Sequence, residues 1–534
     1  MAERSLRMRE VRGSIPCDST FSFFFLQNTA PFFALSGLDA SNERTRAGAA
    51  EMGEDEGRPT LHAWLLSLAE SHDVRVHPSL EFRETERSGR GLFASRDVPI
   101  GEVLLSVPRA LALSVQDGAG ASLPPDGAWP RVRAGVAAAS PDAGKSWECV
   151  LARAVVDAVA GEGGAFWARY GGLMPPPESL ALPFLIPDGE LASLEDAGLA
   201  EDAIVERARI AALMPDLLDP VGEEGGEEAR AAPSDDGGKP PDVARSVAAW
   251  ALALVRSRAL LAGEVRGGGF ARAIVPFIDL ANHTDMGAPN ADYRCEGVET
   301  SASRTPGVPP QRREDAARFE LVALRAVAAD EEVALAYTQG EGTSRAHFAQ
   351  YGFVPAGGYA GDRVEPLLRG SGGDGEDARD RPAVEGKTAT RLRASLRARL
   401  RGALQMSTGV ASVEPSRGNA ASWVAAGAFL SNLFGTEGEP MSDREETATL
   451  AAIRARVAEA ERGWRTSLAA DEAEAADVAA RVAERRRSRS GAASKAELLE
   501  ERRLCVLGLR TQKKRLVRRV AELLEDADLE VASA

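Results

Sequence analysis

Strand-like segments stand on both sides of a long helix-patterned stretch, and this order constrains the fold more than any other feature of the 534 residues. Val74, Val76 and the run from Gly91 to Val107 look like short strands, with Gly101-Glu102 as a turn between two of them. Residues from about Trp147 to Ala160, and from Asp242 to Leu261, are rich in Ala, Leu and Val at helical spacing. Between them Met174-Pro175-Pro176-Pro177 cannot continue a helix, because proline lacks the amide donor. Strand-like runs return at Ala273 to Ile278, Phe319 to Leu324 and Glu332 to Tyr337, the last after an Asp330-Glu331 turn. A chain that begins a sheet, leaves it for helices and returns predicts an α+β fold: a β-rich domain interrupted by a helical insert.

The C-terminal third follows another rule. Leu392, Leu396, Leu400 and Leu404 recur every fourth residue, the pattern of one apolar helix face. Ile453, Val457, Trp464 and Leu468 continue it, as do Leu516, Val520 and Leu523. The Gly-rich run Gly370 to Gly375 reads as part of a linker, and Gly222 to Asp242 as a flexible loop. The basic run Arg485-Arg486-Arg487-Ser488-Arg489 reads as a solvated loop between helices. The expected divisions are a tail or presequence over 1–57 and a β-rich domain over 58–356 with its insert at about 116–250. A linker over 357–383 and an all-α domain over 384–530 complete the chain.

Composition narrows the function classes. The net charge of −16, with both signs mixed along the chain, argues against a dedicated nucleic-acid binder. Cys17, Cys149, Cys295 and Cys505 are scattered without a CxxC pair, and of five histidines only His72 and His77 are close in sequence. Neither a disulfide framework nor a metal site is expected, and a reducing compartment, cytoplasmic or nuclear, is the default. No apolar run is long enough for a transmembrane helix. Phe21 to Leu26 and Pro31 to Leu35, preceded by arginines, leave a presequence open and with it delivery to a chloroplast, while Met52 offers an alternative start.

Three short motifs carry chemistry. Ser88-Gly89-Arg90-Gly91-Leu92-Phe93 places a G-x-G before a strand, where missing Cβ atoms let the backbone approach a ligand. It is not a dinucleotide fingerprint, since the third glycine is absent and a strand follows. Asp279-Leu280-Ala281-Asn282-His283 follows the apolar Val275 to Ile278 and offers donors and acceptors at a buried position. Tyr337 ends a strand, and Tyr351-Gly352-Phe353 follows after Ser344. Taken singly, each has an ordinary structural reading as a glycine turn, a capped turn or core aromatics.

In combination and in this order they resemble the SET-domain protein methyltransferases. The wide, helix-rich spacing between the first and second motifs is similar to the branch containing the Rubisco large-subunit lysine methyltransferase and the actin-histidine methyltransferase. Phe166-Trp167-Ala168-Arg169-Tyr170 with Leu173-Met174-Pro175 looks like that branch's Phe-Trp-x-x-Tyr-x-x-x-Leu-Pro stretch, and Trp250-Ala251 through Arg258 like its Trp-Ala helix. The resemblance covers roughly Leu61 to the C-terminus, loops excepted. It implies a SET domain with a helical insert, followed by a helical substrate-binding domain, and S-adenosyl-L-methionine as cofactor. The backbone of Ser88, Gly89 and Arg90 would hold that cofactor with Arg258, Asn282 and His283. Asp279 belongs to the same motif, and Tyr351, Gly352 and Phe353 add contacts near it. Tyr337 would be the catalytic tyrosine, and no metal is implied. The expected partner is a protein substrate bound partly by the helical domain, with no stable nucleic acid, no membrane and a monomeric enzyme.

The match departs from the branch at two places: Arg345 stands where Asn follows the serine, and Ser88 where an acidic residue precedes G-x-G. The resemblance implies protein-lysine N-methylation of a non-histone substrate. Methylation of histidine, an inactive SET-like binding module, and a scaffold whose function lies in its C-terminal helices are the alternatives.

Overall fold

The computed structural model describes residues 60–85, 89–116, 120–122, 132, 146–218, 242–264, 270–284, 289–296, 317–337, 342–355, 357–359, 362, 451, 454–455, 457–488 and 493–532. Ser88, the segment 1–57, the loop at Gly370 to Gly375 and the leucine series Leu392 to Leu404 lie outside them. The chain divides into two compact units, one of Phe23–Asp362 with Trp464–Arg515, the other of Met1–Ser22, Arg363–Gly463 and Leu516–Ala534. The first carries the sheets.

Its strands, in chain order, are β1 Arg75–Val76, β2 Leu80–Thr85, β3 Gly89–Ala94, β4 Val103–Pro108, β5 Leu113–Gln116 and β6 Gly120–Ser122. After the helices come β7 Ala259–Glu264, β8 Phe270–Ile274, β9 Asn282–His283, β10 Ala291–Glu296, β11 Arg318–Ala323 and β12 Glu332–Leu335. They form three four-stranded sheets, ordered β1-β4-β11-β10, β2-β3-β12-β9 and β6-β5-β8-β7. The second sheet positions the motifs. β3 lies between β2 and β12, with Glu332 opposite Phe93, and β12 pairs in parallel with β9, Ala334 opposite Asn282 and Leu335 opposite His283.

The principal helices are α1 Leu61–Glu70, α2 Trp147–Val159, α3 Gly164–Tyr170, α4 Ala197–Leu213, α5 Val247–Arg258, α6 Ser344–Tyr351, α7 Leu468–Ser488 and α8 Lys495–Ala532. The fold class is therefore α+β, with helices inserted between two groups of strands and more helices at the C-terminal end, as the sequence predicts. Serines cap α2 and α5: Ser146 Oγ accepts from Cys149 N at 3.4 Å and Ser246 Oγ from Ala249 N at 3.2 Å, each satisfying an amide the helix leaves free. Both helices are buried nearly all round, Leu151, Val156, Leu252 and Leu254 being fully inaccessible, which suits their apolar sequences.

Two local expectations are corrected. The helix expected to run to Leu261 ends at Arg258, where Ala259 turns to extended backbone and opens β7. The strand expected over Ala273 to Ile278 stops at Ile274, because Pro276 has no amide for a ladder and Phe277 adopts φ +67°. The basic run also differs: Arg485, Arg486 and Arg487 form the last turn of α7. There Arg486 pairs with Glu501 at 3.1 Å, and Arg485 with Glu500, from the start of α8. Opposite charges supplied by the neighbouring helix make Arg485 and Arg486 part of an interhelical seam rather than a solvated loop, while Arg487 pairs with Glu484 of its own helix.

The same pair of helices is joined to the insert by buried charge. Lys514, 1 % exposed, lies 2.6 Å from Asp471 and 3.0 Å from Glu195, and Lys513 lies 2.8 Å from Asp196, which caps α4. Ions so far from water persist only when paired. No helix among the described residues is long and apolar enough to cross a membrane.

Candidate functional site

Strand β3 brings the glycine motif against the Asn-His motif. Asn282, buried between them, donates from Nδ2 to the Arg90 carbonyl at 3.0 Å and to Glu332 Oε1 at 2.6 Å, so one amide ties β3, β9 and β12 together across 192 residues of sequence. Gly91 is required by this arrangement. A Cβ there would lie 2.7 Å from Glu332 Oε1 and 2.9 Å from Asn282 Nδ2, inside contact distance of both. Gly89 takes φ +68°, a left-handed conformation that glycine adopts without cost. The Arg90 side chain is buried, and burial brings its guanidinium down to about 10.

The turn leading into β9 rests on a charged cluster. Arg258 Nη1 lies 3.0 Å from Asp279 Oδ2 and donates to the Asp279 carbonyl at 2.9 Å, with both side chains almost fully buried. The Tyr170 hydroxyl donates to Asp279 Oδ1 and accepts from Phe277 N at 2.8 Å. That last bond falls on the residue with positive φ, where a side chain other than glycine is strained. Burial pushes the Asp279 carboxyl up, opposed first by Arg258, and it also pushes the Tyr170 phenol well up. The physical result is an Arg–Asp pair with a protonated tyrosine beside it.

Beyond Ala281 the surroundings change from charge to rings. Tyr337, 2 % exposed, donates its hydroxyl to the Ala281 carbonyl at 2.9 Å, and its ring centroid lies 4.7 Å from that of His283 and 5.5 Å from that of Tyr351. The Tyr337 amide donates to His283 Nδ1 at 3.2 Å. Tyr351 closes α6, and Gly352 after it takes φ +80° as the helix cap; a Cβ there would meet the Ala181–Leu182 backbone at 2.9 Å. That turn sends Phe353 to His347, 4.6 Å away edge to face.

His347 and Tyr359 complete the cluster, and neither belongs to the motifs read from sequence. His347 is 1 % exposed, its centroid 4.3 Å from that of Tyr351 and 5.0 Å from that of His283. The Tyr359 hydroxyl lies 2.6 Å from His347 Nδ1 and 3.2 Å from His283 Nε2. Burial lowers His283 to about 4 and His347 well below its ordinary value, so both rings are neutral at physiological pH. The only sequence signal for His347 is its place one helical turn before Tyr351, on the same face of α6. Tyr359 sits in a loop with no pattern to mark it.

The structure thus gathers Asn282, His283, Tyr337, Tyr351, Gly352 and Phe353, with Gly89 and Arg90 joined to them through Asn282. Arg258 and Asp279 bond to each other and to Tyr170. Among the described residues no group of three or more His, Cys, Asp or Glu is placed to hold a metal ion.

No protein-family model matches the chain, and no curated protein matches it. Solved structures do. One is the SET domain of LSMT bound to lysine and AdoHcy, at 15 % identity and TM-score 0.44, covering 89 % of this chain and 93 % of that one. Two others are Rubisco LSMT bound to sinefungin and monomethyllysine, with 15 % identity, TM-score 0.42 and coverage of 89 % and 93 %, and Rubisco LSMT bound to AdoMet, with 16 % identity, TM-score 0.41 and coverage of 88 % and 92 %.

Proposed function

We propose that this chain is an S-adenosyl-L-methionine-dependent protein N-methyltransferase of the SET type, acting on a lysine side chain of a non-histone protein. The observation that carries the reading is the meeting of three distant motifs. Asn282 holds the Arg90 carbonyl, and His283 beside it packs on Tyr337, which lies against Tyr351. Such convergence is what a built site requires and what three unrelated turns would not produce.

The residues suit that cofactor. Neutral rings of Tyr337, Tyr351, Phe353, His283 and His347 offer electron-rich faces near which a cation is favoured. When bound, S-adenosylmethionine supplies a methyl carbon already activated by its sulfonium. Gly89, Arg90, Asn282 and His283, with Tyr351 to Phe353, would hold it, with the missing Cβ at Gly89 leaving the backbone open. Arg258 and Asp279 support the turn that carries Asn282 and His283.

Tyr337 has the catalytic role. Its hydroxyl is fixed on the Ala281 carbonyl, so oxygen and ring hold one orientation, and such oxygens orient a methyl group through weak C–H···O contacts. Alignment of acceptor nitrogen, carbon and leaving sulfur is the main demand of this transfer. The acceptor lysine must arrive neutral, and low-dielectric surroundings disfavour its ammonium form, shifting it down from about 10.4. The C-terminal helices take the protein substrate, and the enzyme acts as a monomer.

Calorimetric titration with S-adenosylhomocysteine tests the cofactor assignment. Wild type binds; Asn282→Ala, which frees the Arg90 carbonyl, loses affinity by about tenfold or more, the scale of a lost buried hydrogen bond. A wild type that is folded yet shows no binding contradicts the reading.

A further inference from the structure

Hydrogen-bond roles around Tyr359 follow from one fixed point. A backbone N–H can only donate, so the Tyr337 amide, 3.2 Å from His283 Nδ1, makes that nitrogen an acceptor. The Leu335 carbonyl lies near the same ring and opposes the lowering of His283, while its 2.9 Å bond comes from Thr284 N; the role of Nδ1 therefore rests on the Tyr337 amide, which can only donate. A neutral imidazole with an accepting Nδ1 carries its proton on Nε2. His283 Nε2–H therefore donates to the Tyr359 oxygen at 3.2 Å. The Tyr359 hydroxyl, having accepted, donates to His347 Nδ1 at 2.6 Å. His347 then carries its own proton on Nε2, which has no hydrogen-bond partner among the described residues.

Tyr359 is itself held. Asp362 Oδ2 accepts from Tyr359 N at 2.9 Å, from Ser344 Oγ at 2.6 Å and from Gln512 Nε2 at 3.1 Å, while Asp362 Oδ1 accepts from Ser344 N. Gly358, at φ +61°, permits the turn that places the tyrosine. A buried imidazole N–H without a partner carries a desolvation cost that an apolar side chain at 347 would avoid. Packing alone gives no reason for a histidine there.

We propose that Tyr359 and His347 are positioning residues: with His283 they form a one-directional relay, Tyr337 N–H to His283 to Tyr359 to His347, that fixes the His283 ring and through it the main chain at Tyr337. The inference rests on the methyltransferase reading for its functional consequence, not for the relay itself. The relay is neutral from end to end, so it orients the site without placing a positive charge beside a cationic cofactor.

Two measurements on the full chain test it. In 15N-histidine NMR spectra, wild type shows both His283 and His347 as Nε2–H tautomers, and Tyr359→Phe leaves His283 a mixture. An Nδ1–H tautomer at either ring of the wild type overturns the relay, whatever the activity. In single-turnover methyl transfer, Tyr359→Phe and His347→Leu fall by about tenfold to a hundredfold, the scale of a small misplacement. His347→Asn, whose amide oxygen can replace Nδ1 as acceptor, recovers most of the rate, and His347→Leu melts no lower than wild type. Rates equal to wild type, or a loss in His347→Leu that His347→Asn shares fully, overturn the positioning role. A wild type that neither binds cofactor nor transfers methyl overturns the methyltransferase reading, while the tautomers still decide the relay.

Discussion

The segment from Phe277 to His283 is held at its start by charge and at its end by neutral rings. At the start, Arg258, Asp279 and Tyr170 form a buried cluster around a strained residue. At the end, His283, Tyr359 and His347 share a chain of bonds in which no group is ionised. A buried ion pair is strong when complete and costly when broken, so it suits a place where the backbone must be forced into an unfavourable conformation. Neutral rings are weaker anchors, yet they do not repel a cation. On the function proposed above, the charged end holds the shape of the turn and the neutral end would face the cofactor.

The largest effect is expected at the charged end. Asp279→Ala leaves Arg258 buried without its carboxylate and is expected to lower unfolding free energy by about 3–5 kcal/mol, read by urea denaturation. Loss of cofactor binding should accompany that loss of stability. A variant that stays as stable as wild type would show that the pair carries no structural load.

The neutral end gives a pH signature instead. His283 falls from 6.5 in the unfolded chain to about 4 in the folded protein, so the unfolded chain binds the extra proton in that window. The stabilisation is therefore complete above pH 6.5 and is lost as pH falls towards 4, by roughly 3 kcal/mol at most for this one group. His347, also depressed, acts in the same direction. Denaturation series between pH 7 and 4 for wild type and His283→Gln should differ in slope, with the variant flatter. Parallel slopes would mean that His283 titrates normally when folded.

The two ends were not equally legible in the sequence. Asn282, His283, Tyr337 and Tyr351 to Phe353 stood in short motifs; the pairing of β9 with β12 sets His283 beside Tyr337, and helix α6 carries Tyr351 against the Tyr337 ring. Tyr170 was visible only as the close of an aromatic stretch, because its partners lie 107 and 109 residues away. Tyr359 and His347 left almost no trace, since a relay is a property of ring positions in space and a loop tyrosine has no period. The run at Arg485 misled for the same reason: its compensating Glu500 and Glu501 lie on the next helix, and charge without its partner looks solvated. Short-range pattern reveals elements, whereas side-chain pairing between elements appears only when the chain is folded.

The most direct test of the central claim is transfer of label from methyl-labelled S-adenosylmethionine to protein in a cell extract, comparing wild type with Tyr337→Phe. Wild type should give a labelled band carrying methyllysine, and Tyr337→Phe a fall of about a hundredfold or more while cofactor binding persists. Equal labelling by the two proteins would contradict the role of Tyr337; a methylhistidine product would reassign the acceptor; no label despite cofactor binding would make the chain a binding module.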